Sequence, residues 1–297
     1  MTTFSVADIP GLTGKTAIVT GANGGVGLAT ARALTRAGAR VVFAVRSVEK
    51  GRAAASTMPG PPEVRALDLA SLDSVRAVAD GWEGPIDLLI NNAAASPPQE
   101  LSHTADGFEL QFGTGHLGHF ALTNLLIGHI IGRVVTVASQ AERFGRIDLD
   151  DLGWEGRGYR RSRAYGQVKL ANLLFTAELQ RRLDAAGSSV RAQAAHPGFV
   201  ATGIYRHSGL MSKLMVRLMA QSPAQGALPV LYAAVADIPG NSFAGPSHVA
   251  HMRGAPELIP RSRTAQDAEL ARRLWTVSEQ LTGVAWPPHA RQFSPSA

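Results

Sequence analysis

Six short apolar runs limit most strongly how this chain folds. TAIVT (16–20), RVVFAV (40–45), EVRAL (63–67), IDLLIN (86–91), RVVTVA (133–138) and VRAQAAH (190–196) read as strands, mostly apolar at consecutive rather than alternate residues. Strands of that kind are covered on both faces, as parallel sheets are. Helical patterns separate them. GVGLATARALTRAG ends at Gly38, a short helix runs from Val48 to about Met58, and SLDSVRAVAD (71–80) opens on a Ser cap. A long helical segment is predicted from about Thr104 to Ile127, and another holds AYGQVKLANLLF (164–175). The alternation predicts an α/β fold, a doubly wound parallel sheet with helices on both faces.

No repeat, low-complexity tract or Gly/Ser linker divides the 297 residues, so residues 1–297 are expected to form one domain with a substantial core. Hydrophobic residues at 45% and charged residues at 18% are the proportions of a soluble globular protein. The net charge of +6 comes largely from scattered Arg, with one dense cluster, RGYRRSR (157–163), read as a solvated loop; nucleic acid is not an expected partner. The absence of Cys excludes disulfides and thiolate chemistry and fits a cytoplasmic location. The start of the chain lacks signal-peptide character, and the apolar run FALTNLLIGHII is too short and too interrupted to span a bilayer.

TGANGGVG (20–27) lies between the first strand and the first helix. Small residues there permit a tight turn and let a pyrophosphate approach free amides at a helix N-terminus. Beyond the second strand stands Arg46, where a carboxylate would bind the adenosine ribose hydroxyls. Its guanidinium suits a 2′-phosphate, so NADP(H) is favoured over NAD(H). In the 164–175 helix, Tyr165, Lys169, Asn172 and Thr176 form a polar stripe on an apolar rod. A phenol titrates at about 10 in water, and an ammonium one turn away favours its phenolate. The fifth strand ends in VASQA, offering Ser139 as a hydroxyl for a reacting oxygen.

TGANGGVG, DLA (68–70), NNAA (91–94), VTVAS (135–139), YGQVK (165–169) and HPGFVAT (196–202) occur in the order of the short-chain dehydrogenase/reductase family, which the chain resembles over roughly residues 10 to 285. HLGHFALTNLL (116–126), KLANLLF (169–175) and GALPVLYAA (226–234) look like its retinol-dehydrogenase-like and protochlorophyllide-reductase-like branch, bacterial members of unassigned substrate included. The resemblance implies a Rossmann fold with Tyr165 as general acid/base, Lys169 lowering its pKa and holding the nicotinamide ribose, and Ser139 polarising the carbonyl. It implies a phosphate turn of Gly21, Gly25 and Gly27, with Val26 beside them and Asn23 as brace. Asp68 and Leu69 would flank adenine, and Asn92, Ala93 and Ala94 would line the adenosine side. Pro197, Gly198, Val200 and Thr202 would cradle the nicotinamide end.

Three departures stand out. Gly115 occupies the position where the family usually has Asn, Ala94 replaces a Gly, and Val168 replaces the Ser before the Lys. Residues 199–222, with Met211, Met215 and Met219, read as a flexible substrate lid or a packing helix, and an apolar carbonyl or alcohol is the expected substrate. His116 and His119 on a helix, and His248 and His251 in a loop, lack further ligands nearby, so no metal is expected. His196 reads as packed or hydrogen bonded, and Trp154, Trp275 and Trp286 as core or edge packing. The helices at 104–127 and 164–186 read as a subunit interface or internal core, which leaves a homo-oligomer open. Two other functions compete with carbonyl–alcohol interconversion: nicotinamide binding with impaired catalysis, and reduction of a C=C bond.

Overall fold

The structure is a computed structural model describing residues 4–60, 62–200 and 220–287. Its centre is one eight-stranded sheet in the order β3-β2-β1-β4-β5-β6-β7-β8. β1 (Thr16–Thr20), β2 (Arg40–Val45), β3 (Glu63–Ala66), β4 (Ile86–Asn91), β5 (Ile130–Val137) and β6 (Arg191–Ala195) are the six anticipated strands. They pair in parallel, as does β7 (Phe243–His248) with β6. β8 (Arg253–Leu258) closes the edge antiparallel to β7. The strand order reverses between β1 and β4, and ligand crevices of doubly wound sheets open at such a switch, outside the carboxyl ends of the strands.

Helices α1 (Gly25–Arg36), α2 (Val48–Ala55) and α3 (Leu72–Asp80) follow the first three strands. Ser47 and Ser71 cap α2 and α3 through their side chains. The segment anticipated as one helix from Thr104 is shorter and interrupted. Helix α4 (Leu110–Phe112) passes through a π-helical turn (Gly113–Leu117) into α5 (Gly118–Leu126). The buried Glu109 carboxylate stops the helix from starting earlier by accepting from the Gln111 and Phe112 amides. Close packing needs glycines here, because a Cβ at Gly118 would lie 2.4 Å from the Leu69 carbonyl oxygen.

Helix α6 (Arg161–Ala185) carries the polar stripe and is buried around nearly its whole circumference. Helix α7 (Pro223–Val235) packs with α1 on one face of the sheet. Helix α8 (Ala268–Thr282) lies against α6 on the other, where Trp275 stacks on Phe175 at 5.7 Å and meets Phe120 edge-on at 4.9 Å. The apolar surfaces of α5 and α6 are thus spent within the chain. Of the RGYRRSR cluster, Arg160, Arg161 and Arg163 are exposed. Arg157 instead lies 4.1 Å over the Trp154 ring and pairs with Asp151 at 3.2 Å. His248 ends β7 rather than lying in a loop, and no cluster of three potential metal ligands occurs among the described residues. No helix among them is long and apolar enough to cross a membrane.

Candidate active site

The turn after β1 is built for close approach. Gly21 (φ +66°) and Gly25 (φ +54°) occupy the left-handed region, and a Cβ at Gly27 would lie 2.4 Å from Asn92 Nδ2. Asn92 Nδ2 donates to the Thr20 carbonyl at 2.8 Å, and the Asn92 and Ala93 amides both donate to Thr20 Oγ1 at 2.9 Å. The end of β4 is thereby fastened to the phosphate-type turn in which Asn23 sits half-buried. Helix α1 has Gly24 at its N-cap and no side-chain cap, whereas Ser222 and Asp267 cap α7 and α8 with their own oxygens. Its first amides therefore remain for an anion. That cradle fits a dinucleotide pyrophosphate.

The other candidate cofactor contacts gather at the same sheet edge. Arg46 is exposed directly after β2, and Ala94 is exposed after β4. Asp68 Oδ1 accepts from the Ala70 amide at 3.0 Å, with Leu69 buried beside it. Buried Val26 packs near Gly226 of α7, and a Cβ on that glycine would also meet Val200 and the Pro197 carbonyl. Gly198 (φ +74°) is required by both backbone and space: a Cβ there would lie 2.5 Å from the Met252 carbonyl. Phe199 donates its amide to that carbonyl at 2.8 Å. Val200 bridges to Gln221, so the flanks of the anticipated lid meet; Thr202 and residues 201–219 lie outside the described residues.

Ser139 follows β5 and caps a short 3-10 helix (Gln140–Phe144), its Oγ accepting from the Ala141 amide at 3.2 Å. The turn after that helix presses directly on α6, since a Cβ at Gly145 would stand 2.3 Å from the Gly166 carbonyl oxygen. This glycine-on-glycine contact brings the Ser139 segment against the start of α6, where Tyr165 is half-buried. One turn on, Lys169 Nζ lies 5.5 Å from the Tyr165 ring centre and donates to the Val137 carbonyl at 2.9 Å. Burial pushes its pKa down to about 8. Asn172 Nδ2 donates to the same carbonyl at 3.2 Å, and Thr176 Oγ1 donates to the Asn172 carbonyl at 2.8 Å. Lys169 and Asn172 of the polar stripe thus face the end of β5.

Gly115 and Val168 prove to be neighbours: a Cβ at 115 would lie 2.8 Å from Val168 Cγ1. The Gly115 carbonyl lies 3.2 Å from His119 Nδ1, and His119 Nε2 lies 2.9 Å from Thr20 Oγ1. A carbonyl can only accept, so Nδ1 carries the ring proton and Nε2 accepts from the Thr20 hydroxyl. Burial first, and then the Lys169 charge, push His119 down to about 4, which keeps it neutral. His196 is buried, and among the described residues neither ring nitrogen is hydrogen bonded, so it is the packed alternative that holds there; burial, then Lys169 and His251, push it down to about 3. The His251 backbone favours the charged ring without completing a hydrogen bond. Sequence reasoning did not single out Thr20, and it gave His119 no role beyond a family phrase. Their link joins residues 99 apart and depends on the strand order.

Known proteins resemble this chain over most of its length. The profile of the short chain dehydrogenase family matches residues 15–212. Retinol dehydrogenase 13 of Homo sapiens is 42% identical over 98% of this chain and 90% of its own length. Retinol dehydrogenase 12 of Homo sapiens is 41% identical over 93% of this chain and 88% of its own. A crystal structure of an uncharacterized protein from Mycobacterium Paratuberculosis superposes with a TM-score of 0.84 at 51% identity, covering 96% of this chain and all of the other. A short chain dehydrogenase/reductase family protein superposes with a TM-score of 0.61 at 27% identity, over 78% of this chain and 95% of the other.

Proposed function

The chain belongs to the short chain dehydrogenase family, and on that premise we propose that it interconverts an apolar carbonyl compound and its alcohol using NADP(H). The observation that carries the proposal is Lys169, one turn from Tyr165 and bonded to the Val137 carbonyl two residues before Ser139, on the sheet edge where the uncapped N-terminus of α1 opens. Gly21, Asn23, Gly25, Val26 and Gly27 would hold the pyrophosphate. Asp68, Leu69, Asn92, Ala93 and Ala94 would border the adenosine, and Pro197, Gly198, Val200 and Thr202 the nicotinamide end. When bound, the cofactor supplies a hydride to the carbonyl carbon or accepts it from the alcohol carbon.

The protein's own part is orientation and proton handling. In the reductive direction the Ser139 hydroxyl donates a hydrogen bond to the carbonyl oxygen, and the Tyr165 phenol gives that oxygen its proton as the C–H bond forms. The ammonium of Lys169 stabilises the phenolate left behind. One carbonyl, one reduced cofactor and one solvent proton yield one alcohol and one oxidised cofactor. Arg46 supports the NADP(H) preference: its guanidinium is exposed and free of ion pairs among the described residues. An apolar substrate is supported by the Met-rich stretch at 199–222 and by relatives named for retinol.

The test assays parent protein and Arg46→Ala with retinaldehyde and other lipophilic aldehydes and ketones, using NADPH and NADH in turn. The parent is expected to turn over apolar carbonyls with NADPH, and the variant to lose about tenfold in NADPH affinity while its NADH affinity holds. Turnover confined to small polar carbonyls, or equal cofactor use before and after the substitution, overturns the corresponding half of the proposal. Tight NADPH binding with no turnover would favour a nicotinamide-binding protein, and a saturated product with its carbonyl intact would favour C=C reduction.

A further inference from the structure

Asn172 is the member of the polar stripe that the chemistry above leaves unused. It is 3% exposed and shares the Val137 carbonyl with Lys169. A carbonyl oxygen has two lone pairs, so these two donors fill it. On its other side the Asn172 side chain lies beside His116 and favours the charged ring, without completing a hydrogen bond, against the larger effect of burial. His116 Nε2 lies 3.0 Å from Ser278 Oγ, and that hydroxyl donates to the Leu274 carbonyl at 2.8 Å. Two bonded groups thus lie side by side: Lys169 and Asn172 on the end of β5, and His116 of the π-helical turn with Ser278 of α8. The opposite flank differs: Gly115 offers no side chain, its carbonyl is met by His119, and Val168 seals the gap.

We propose that Asn172 is a positioning residue for Lys169. By sharing the Val137 carbonyl, and by packing beside the His116 ring that Ser278 of α8 holds, it fixes where the ammonium stands relative to Tyr165. The inference rests on the reading of Tyr165 and Lys169 as the proton-handling pair. The titratable groups around Lys169 are Tyr165 on α6, His119 on α5 and His196 after β6; burial, followed by the Lys169 charge, keeps both histidines neutral. A carboxylate introduced at position 172 would be an added charge of opposite sign in this shell.

Three substitutions test it. In the cofactor-free protein, Asn172→Asp is expected to raise the Lys169 titration, followed by NMR of isotope-labelled lysine side chains, by about one unit or more. With retinaldehyde and NADPH, Asn172→Leu is expected to lower kcat by about ten- to a hundredfold. Its NADPH affinity, measured by fluorescence, should stay near that of the parent. Ser278→Ala, which removes the hydrogen bond holding the His116 ring beside Asn172 without touching α6, shifts kcat in the same direction by a smaller factor and keeps the inference testable if the leucine variant does not fold. An unmoved Lys169 titration in Asn172→Asp, or kcat within about twofold of the parent in both other variants, overturns the inference. Tyr165→Phe is assayed alongside. Parental turnover in that variant overturns the underlying reading, whereas its loss beside unaffected position-172 and position-278 variants overturns this inference alone.

Discussion

The two faces of the sheet are closed in different ways. On the α1 and α7 face the core is Leu34, Val41, Phe43, Val230, Leu231 and many alanines, with few buried polar side chains. On the α5, α6 and α8 face lie Trp275, Phe120 and Phe175, but also buried Gln111, His116, His119, Gln167, Lys169, Asn172 and Glu178. Each of those groups costs free energy to desolvate and needs a partner. One wall maximises packing and backs the glycine turn after β1, while the other gives up some stability to place polar atoms at fixed points. Losses on the first face should appear as stability, and losses on the second as rate or pH dependence.

Tyr165→Phe attacks that division hardest. It is expected to lower turnover by about a thousandfold, within the span found for lost general acid/base groups, while the thermal midpoint stays close to the parent's. A large fall in melting temperature with retained turnover would erase the distinction. The opposite pattern is expected of Leu231→Ala, which opens a cavity in the apolar wall and should cost about 2–5 kcal/mol by denaturant titration with little change in kcat.

Acid sharpens the comparison more gently. Burial holds His116 at about 3, His119 at about 4 and His196 at about 3. An unfolded chain takes up those protons below about 6.5, so stability is fully kept above that pH and drains away as pH falls toward 4. Each histidine contributes a slope of about 1.4 kcal/mol per pH unit where the two states differ by one proton. Urea midpoints measured from pH 7 to pH 4.5 should therefore fall, and His116→Asn should remove about a third of the histidine-dependent slope. A pH-independent midpoint would show that this face bears no buried neutral imidazoles.

The first half of the sheet was legible because its signals are local. TAIVT followed by a glycine turn, and the Ser71 cap before α3, fix strand, turn and helix over a few residues. The far edge was not legible. β7 and β8 carry Pro246 and Pro256, paired opposite one another, and neither strand has the β-branched run that marks a strand in sequence. The long segment before β5 misled because apolar spacing persists through a π-helical turn, which no periodicity announces. Within the site, Tyr165 and Lys169 were legible from their spacing along one helix. The Gly115–Val168 contact and the Thr20–His119 link join separate elements and emerge only once those elements are stacked.

The position of α8 has a consequence for biosynthesis. Its residues 268–282 emerge from the ribosome long after α6, yet Trp275 and Ser278 complete the packing on Phe175 and the hydrogen bonding of His116. During elongation the aromatic slab of Phe120 and Phe175 waits for its cover, an interval in which nascent chains are most prone to stray association or chaperone capture. The half with the glycine turn can consolidate early, but the half carrying Phe120 and Phe175 must wait for α8.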